Sequence, residues 1–280
     1  DLHLSLRRQR QMCIRDRVHI DPIPGRAGRS EPTDVGIVSH CGLAIEELLS
    51  SLKPLITPEI ANEIDGRKIG VVAAAEDKRK SFENSVAAKW DNKPMSPARM
   101  MSELAAAMPD NAIVVDDSIS NRATMRHYFQ GQKRGDLRAF RGQSIGGGIG
   151  TTMGTAVANP DRPVFGIIGD GSAMMTIQGL WTAANDNIPC IFVICNNGMY
   201  RVLKVNFDVY QREILQQKES AGENLPYSDF PTPFDVSAIA SSMGVHGEKI
   251  TDPAEIAPAV QRAVASGKPA VLDIVIDGSL

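Results

Sequence analysis

GDGSAMMTIQGLWTAANDNIPCIFVICNNGMY, residues 169–200, decides how the rest of this 280-residue sequence is read. The apolar runs VFGIIGD, which leads into it, and CIFVICNN, near its end, read as strands, and MTIQGLWTAAND between them has helical spacing. A strand, a helix and a second strand make a parallel pair joined by a right-handed crossover, so the loops after both strands emerge at one edge. Asp170 lies just past the first strand and Asn197 just past the second. Open parallel sheets bind ligands beyond the carboxyl ends of their strands. A carboxylate and an amide carbonyl are hard oxygen ligands, suited to Mg²⁺ or Ca²⁺ rather than zinc. One protein charge is too little for a dedicated cage, and Mg²⁺ commonly completes its shell with water and phosphate oxygens. Gly169 and Gly171 leave room for an anion at the backbone, and a helix starting near Ser172 would aim its free N–H groups at it. The composite expectation is a metal-plus-phosphate site.

The alternation continues outward. KPMSPARMMSELAAAMP (93–109) predicts a helix capped by Ser96 with Pro97 in its first turn. AIVVD (112–116) reads as a buried strand and NRATMRHYF (121–129) as a helix, while GQSIGGGIG (142–150) is a turn opening a helix through Val157. FDVSAIASSM (234–243) and PAEIAPAVQRAVA (253–265) read as helices and AVLDIVI (270–276) as a closing strand. Strands apolar throughout, separated by helices, predict an α/β fold: a parallel sheet with helices on both faces. Upstream, VHIDPIP (18–24) reads as a short strand, DVGIVSH follows, and GLAIEELLSSL (42–52) has helical spacing, the tail of a second α/β domain. Pro54, Pro58 and weakly patterned charged residues read as a connector, with a helix over 68–90.

Composition is that of a globular protein, with 42% hydrophobic and 22% charged residues. A net charge of −3 argues against nucleic acid or a membrane surface as partner. No apolar run reaches the roughly 18 residues that cross a bilayer. The four cysteines (13, 41, 190, 195) form no CxxC pair and read as buried reduced thiols of a cytoplasmic protein. The five histidines show no metal-ligand spacing. Residues 1–17 hold five arginines and two aspartates, and are expected to be a non-native or disordered tail outside the fold.

GDG followed by about 25 residues and NN resembles the signature of enzymes that use thiamine diphosphate (ThDP). Residues 95–280 resemble the C-terminal, diphosphate-binding domain of the benzoylformate decarboxylase and acetolactate synthase group. Residues 18–55 resemble the end of that group's middle domain, which leaves 56–94 as connector. The resemblance implies Mg²⁺ held by Asp170, the Asn197 side chain and the Met199 carbonyl. It implies a diphosphate held by Ser172 and the backbone of Gly169 and Gly171, with Ser120 of DDSIS reaching it from another strand end and Tyr200 nearby. GGIG (147–150) would lie under the cofactor's centre: the Gly147 carbonyl would accept from the aminopyrimidine, Gly148 would keep the backbone close, and Ile149 would wedge between the rings.

The reaction implied is loss of CO₂ from a small-molecule 2-keto acid, with the cofactor as electron sink. Residues 200–207, YRVLKVNF, would line the substrate pocket. They lack the QGMVxQW pattern of acetolactate synthases, and Asn206 stands where an aryl substrate calls for an aromatic. A 2-keto acid decarboxylase is therefore the first reading and an acetolactate synthase-like carboligase the second. A non-catalytic nucleotide- or flavin-binding module stays open, whereas a haloacid dehalogenase phosphatase would need GDGxND and an upstream DxDxT. FAD content is left open, and the intact enzyme is expected to be a homodimer or homotetramer. Residues 211–231 read either as a cap over the site or as a solvated helix and loop. The family's activating glutamate belongs to a pyrimidine-binding domain that no segment here resembles. The purified 280-residue chain is thus expected to turn over 2-keto acids at or near background; clear CO₂ release above background would contradict that expectation.

Overall fold

The computed structural model describes residues 16–129, 137–139, 144–217 and 225–279. The chain divides into two compact units, Asp1–Lys80 and Ser81–Leu280. The first holds a parallel pair, β1 (Val18–Asp21) and β2 (Val35–Val38), followed by the helix Cys41–Leu52. Its apolar residues are largely exposed: Leu43, Ile45 and Leu49 face solvent, and Ala44 is the one buried residue of that helix. The connector forms one continuous helix, Pro58–Ala88, longer than the 68–90 expected. The expected tail at 1–17 falls almost wholly outside the described residues.

The second unit is built on six strands: β3 (Ile113–Asp117), β4 (Leu137–Ala139), β5 (Val164–Gly169), β6 (Cys190–Asn196), β7 (His246–Ile250) and β8 (Ala270–Val275). They are all parallel, in the order β4-β3-β5-β6-β8-β7. Successive residues point to opposite faces. Val114, Ile167, Val193 and Leu272 therefore join one core, with Met100, Met101 and Leu104 of helix Pro97–Ala107 and Ile256 and Val260 of helix Ile256–Ser266. Ile113, Ile168, Phe192 and Val271 join the other, with Ile149, Leu180 and Val236 from helices on the opposite side. This is the α/β sheet covered on both faces that the apolar strands imply.

The order reverses at β3. The chain leaves β3 for β4 on one side, then crosses to β5 and β6 on the other, so the carboxyl ends of β3 and β5 flank a topological switch point. Such points open a crevice. Asp117 ends β3 and Gly169 ends β5.

Several local expectations change. The helix drawn over MTIQGLWTAAND is two short helices, Asp170–Met175 and Gly179–Asn185. Thr176 breaks it, turning its hydroxyl to the Gly146 carbonyl at 2.7 Å. HGEKI forms β7 at the sheet edge, where polar residues are tolerated, so no apolar run marks it. Cys190 and Cys195 are buried free thiols, but Cys41 is exposed, against expectation. Ser96 does cap its helix, accepting from the Arg99 amide at 3.2 Å.

Asp273 ties the sheet to a helix. It is fully buried on β8, accepting from Asn196 Nδ2 at 2.9 Å and from the amides of Val236 and Ser237 at 2.9 and 3.3 Å. Those amides begin the helix Val236–Ser242, which gains an acceptor and a negative charge at its N-terminus. Asp273→Ala strips three buried donors of their acceptor, so chemical denaturation should show a loss of about 3 kcal/mol. A loss below about 1 kcal/mol would show that these donors find other partners.

Candidate functional site

Asp170 is where two loops meet. It begins the short helix after β5 and is almost fully buried. Oδ1 accepts from its neighbour Gly171 at 2.7 Å, and Oδ2 accepts from the Gly198 amide at 2.8 Å. Gly198 follows Asn197 beyond β6, so the acid of GDG and the glycine after the paired asparagines share one rim and touch. Gly198 adopts φ +66°, a conformation few other residues take without strain, and this turns its amide to the carboxylate.

The Asn197 loop is held from behind. Asn196 points away from the crevice, donating to the Phe234 carbonyl at 2.8 Å and to Asp273. The pair of asparagines therefore divides into one structural residue and one at the site. On the other side the Tyr200 amide donates to the Ser228 carbonyl at 2.7 Å and the Phe230 amide to the Gly198 carbonyl at 2.8 Å. These bonds flank an antiparallel bridge between Met199 and Asp229. The Met199 backbone groups then face away from Asp229. Its amide donates to Asn197 Oδ1 at 3.1 Å, which puts its carbonyl on the same side as the Asn197 side chain.

The crevice is lined by Asp117, Ser120, Ile145, Asp170, Asn197 and Tyr200, with Gly169, Gly171, Ser172 and Met199 beside them. Most residues expected at the site thus converge. Gly147, Gly148 and Ile149 do not line it; Ile149 is buried in the core, and a Cβ on Gly179 would meet its side chain at 2.8 Å. Ile145, 43% exposed, lines the crevice instead. Gly147 and Gly148 open the helix Gly148–Ala158, and the Gly147 carbonyl already accepts from Thr151 at 2.9 Å. The close approach that Gly171 permits is made here by the ring of Tyr200, which a Cβ on Gly171 would meet at 2.6 Å. Tyr200 in turn packs edge-on against Phe230 at 4.7 Å. Of the 211–231 segment, residues 225–230 brace the site loop, and 218–224 lie outside the described residues.

Asp117 escapes the sequence reading. Its Oδ2 accepts from the Ser172 hydroxyl at 2.5 Å and from the amides of Gly148 and Gly146 at 2.9 and 3.2 Å. A Cβ on Gly148 would come within 2.8 Å of this carboxylate, which is why glycine stands there. The signal was present as the second acid of DDSIS, at the end of an otherwise apolar strand.

Charge is unevenly answered. Burial pushes the Asp170 carboxyl up to about 6, against the lowering effect of the amides around it. Burial also raises Asp117, again opposed by its hydrogen bonds. Among the described residues no three His, Cys, Asp or Glu side chains form a metal cage. A cation here would rely on Asp170, the Asn197 amide oxygen and the Met199 carbonyl, with the remaining oxygens supplied by the ligand. That donor set fits Mg²⁺.

Residues 120–274 match the family described as "Thiamine pyrophosphate enzyme, C-terminal TPP binding domain". The chain belongs to the thiamine pyrophosphate enzyme family. Its relatives include a Methanococcus aeolicus protein named "Probable acetolactate synthase large subunit", 30% identical over 269 residues, which are 94% of this chain and 43% of that one. The benzoylformate decarboxylase of Pseudomonas aeruginosa is 26% identical over 251 residues, covering 90% of this chain and 42% of the other. The chain thus spans less than half the length of these curated relatives. The solved 4-hydroxybenzoylformate decarboxylase of Rhodococcus jostii RHA1 shares the fold, with a TM-score of 0.67 at 24% identity over 93% of this chain and 44% of that one. Among the described residues, no helix is long and apolar enough to cross a membrane.

The Asp170 shift carries a stability consequence. Its carboxyl is raised in the fold from 3.8 to about 6, so ionising it costs the cation-free fold up to about 3 kcal/mol above pH 6, and nothing below pH 3.8. Asp170→Asn should therefore unfold at higher denaturant than wild type at pH 7.5 without divalent cation, with the gap closing toward pH 4. An unchanged gap across that range would contradict the assignment.

Proposed function

We propose that this chain forms the diphosphate- and metal-holding part of a ThDP- and Mg²⁺-dependent enzyme that decarboxylates a 2-keto acid without oxidation. Residues 95–280 would be the diphosphate-binding domain and 18–55 the end of a middle domain. The observation that carries the reading is the bond from the Gly198 amide to Asp170 Oδ2, which brings the two halves of the motif together beside the switch point.

Asp170, Asn197 and the Met199 carbonyl would hold Mg²⁺, and the ion would answer a buried carboxylate that otherwise has no cation beside it among the described residues. Ser120 and the backbone at Gly169 and Gly171 would face the diphosphate. Tyr200, backed by Phe230, would shield this end from water. ThDP, when bound, supplies the electron sink for loss of CO₂ from a 2-keto acid. Gly147 and Gly148 bring the start of their helix close to the ends of β3 and β5, where a planar ring can lie against backbone.

Carboligation of the acetolactate synthase kind is the second reading, favoured by the 30% identity of that relative against 26% for benzoylformate decarboxylase. Both readings begin with the same decarboxylation. The intact enzyme would be a homodimer or homotetramer.

Titrating the 280-residue chain with ThDP, FMN and ADP, each with and without Mg²⁺, separates this function from a flavin or nucleotide module. Saturable ThDP binding that requires Mg²⁺ is expected. FMN binding without metal, with none of ThDP, would overturn the proposal.

A further inference from the structure

Asp117 sits in the crevice wall with its two oxygens unequally used. Oδ2 receives all three donors, the Ser172 hydroxyl and the amides of Gly146 and Gly148, whereas no donor among the described residues reaches Oδ1. The residue is 2% exposed. We propose that Asp117 binds the anionic ligand of this crevice in its protonated form: Oδ1 takes a proton from solvent as the diphosphate enters and donates it in a hydrogen bond to that anion.

Apart from the Mg²⁺ and the Ser120 hydroxyl proposed above, the surroundings bring little positive charge to this wall. On β3, Asp116 is paired with Arg122 at 2.7 Å and still adds like charge to Asp117. The glycine segment offers only amides. The helix Asp170–Met175 brings Ser172, whose single proton is given to Asp117, and Asp170, itself an acid. The loop after β6 brings Asn197, and the helix Arg201–Val209 that follows brings Arg201, whose guanidinium is bonded to the Ser279 carbonyl at 3.0 Å. An ionised Asp117 would repel a phosphate beside it, and burial already favours its neutral form. Protonation at Oδ1 preserves all three bonds to Oδ2 and converts a repulsive acceptor into a donor.

The inference rests on the proposed ThDP function, and calorimetry separates the two. ThDP with saturating Mg²⁺ is titrated into the 280-residue chain, wild type and Asp117→Asn, in two buffers of different ionisation heat, from pH 6.5 to 8.5. Protons exchanged by the ligand and by Asp170 are common to both proteins, so the difference belongs to Asp117. Wild type should take up about one more proton than the variant at the alkaline end, and lose affinity about tenfold per pH unit relative to it. Asp117→Asn can present its amide N–H where Oδ1–H would be, so it should still bind at pH 8.5. Equal proton uptake in the two proteins would overturn the inference alone. Failure of wild type to bind ThDP would overturn the functional proposal and this inference together. If Asp117→Asn does not fold, infrared difference spectra of wild type decide: a protonated-carboxyl band appearing on ThDP binding supports the inference, and its absence overturns it.

Discussion

A buried carboxylate that accepts amide hydrogen bonds from its own helix and from the next strand's loop is the constraint on which the site depends. Asp170 joins β5 to the Asn197–Gly198 turn beyond β6 through one short bond. The parallel order places those strand ends side by side, and two further devices keep the turn in reach. Asn196 clamps the end of β6 to Asp273 on β8, and residues 228–230 pair with 198–200 from outside. These bonds hold the Asn197 side chain and the Asp170 carboxylate at one rim.

The acids around the carboxyl rim illustrate how burial sorts structure from function. Asp116 is fully buried yet has Arg122 and the Ser118 hydroxyl. Asp273 is fully buried yet satisfied by three donors that build the fold. Asp170 and Asp117 also accept hydrogen bonds, but neither has a cation in contact among the described residues, and both line the crevice. Charge without a partner cation in a concave site marks a candidate functional site, because a bound ligand can offset the cost of burying it.

Much of this was legible in the sequence because it depends on periodicity. Strands buried on both faces must be apolar throughout, and VFGIIG and CIFVIC announce themselves. Site residues at strand ends follow from the same pattern. Other features have no such period. β7 is an edge strand with a polar sequence. The helix Arg201–Val209 buries Lys204 and Asp208 while exposing Leu203, the reverse of an amphipathic surface helix, because Lys204 meets Asp229 at 2.6 Å. The break at Thr176 depends on a carbonyl 30 residues away. The role of Asp117 depends on amides 29 and 31 residues away and on a serine 55 away, pairings that only the assembled sheet creates.

The central proposal is that Asp170 and Asn197 would hold a divalent ion at a cofactor diphosphate. Mn²⁺ in place of Mg²⁺ tests it through the ³¹P resonances of ThDP, which a paramagnetic ion bound to the phosphates broadens. The account predicts strong broadening of both phosphorus signals with the wild-type chain, and broadening no greater than free Mn²⁺ produces when Asp170 and Asn197 are both replaced by alanine. Equal broadening with the two proteins would place the ion elsewhere and contradict the account.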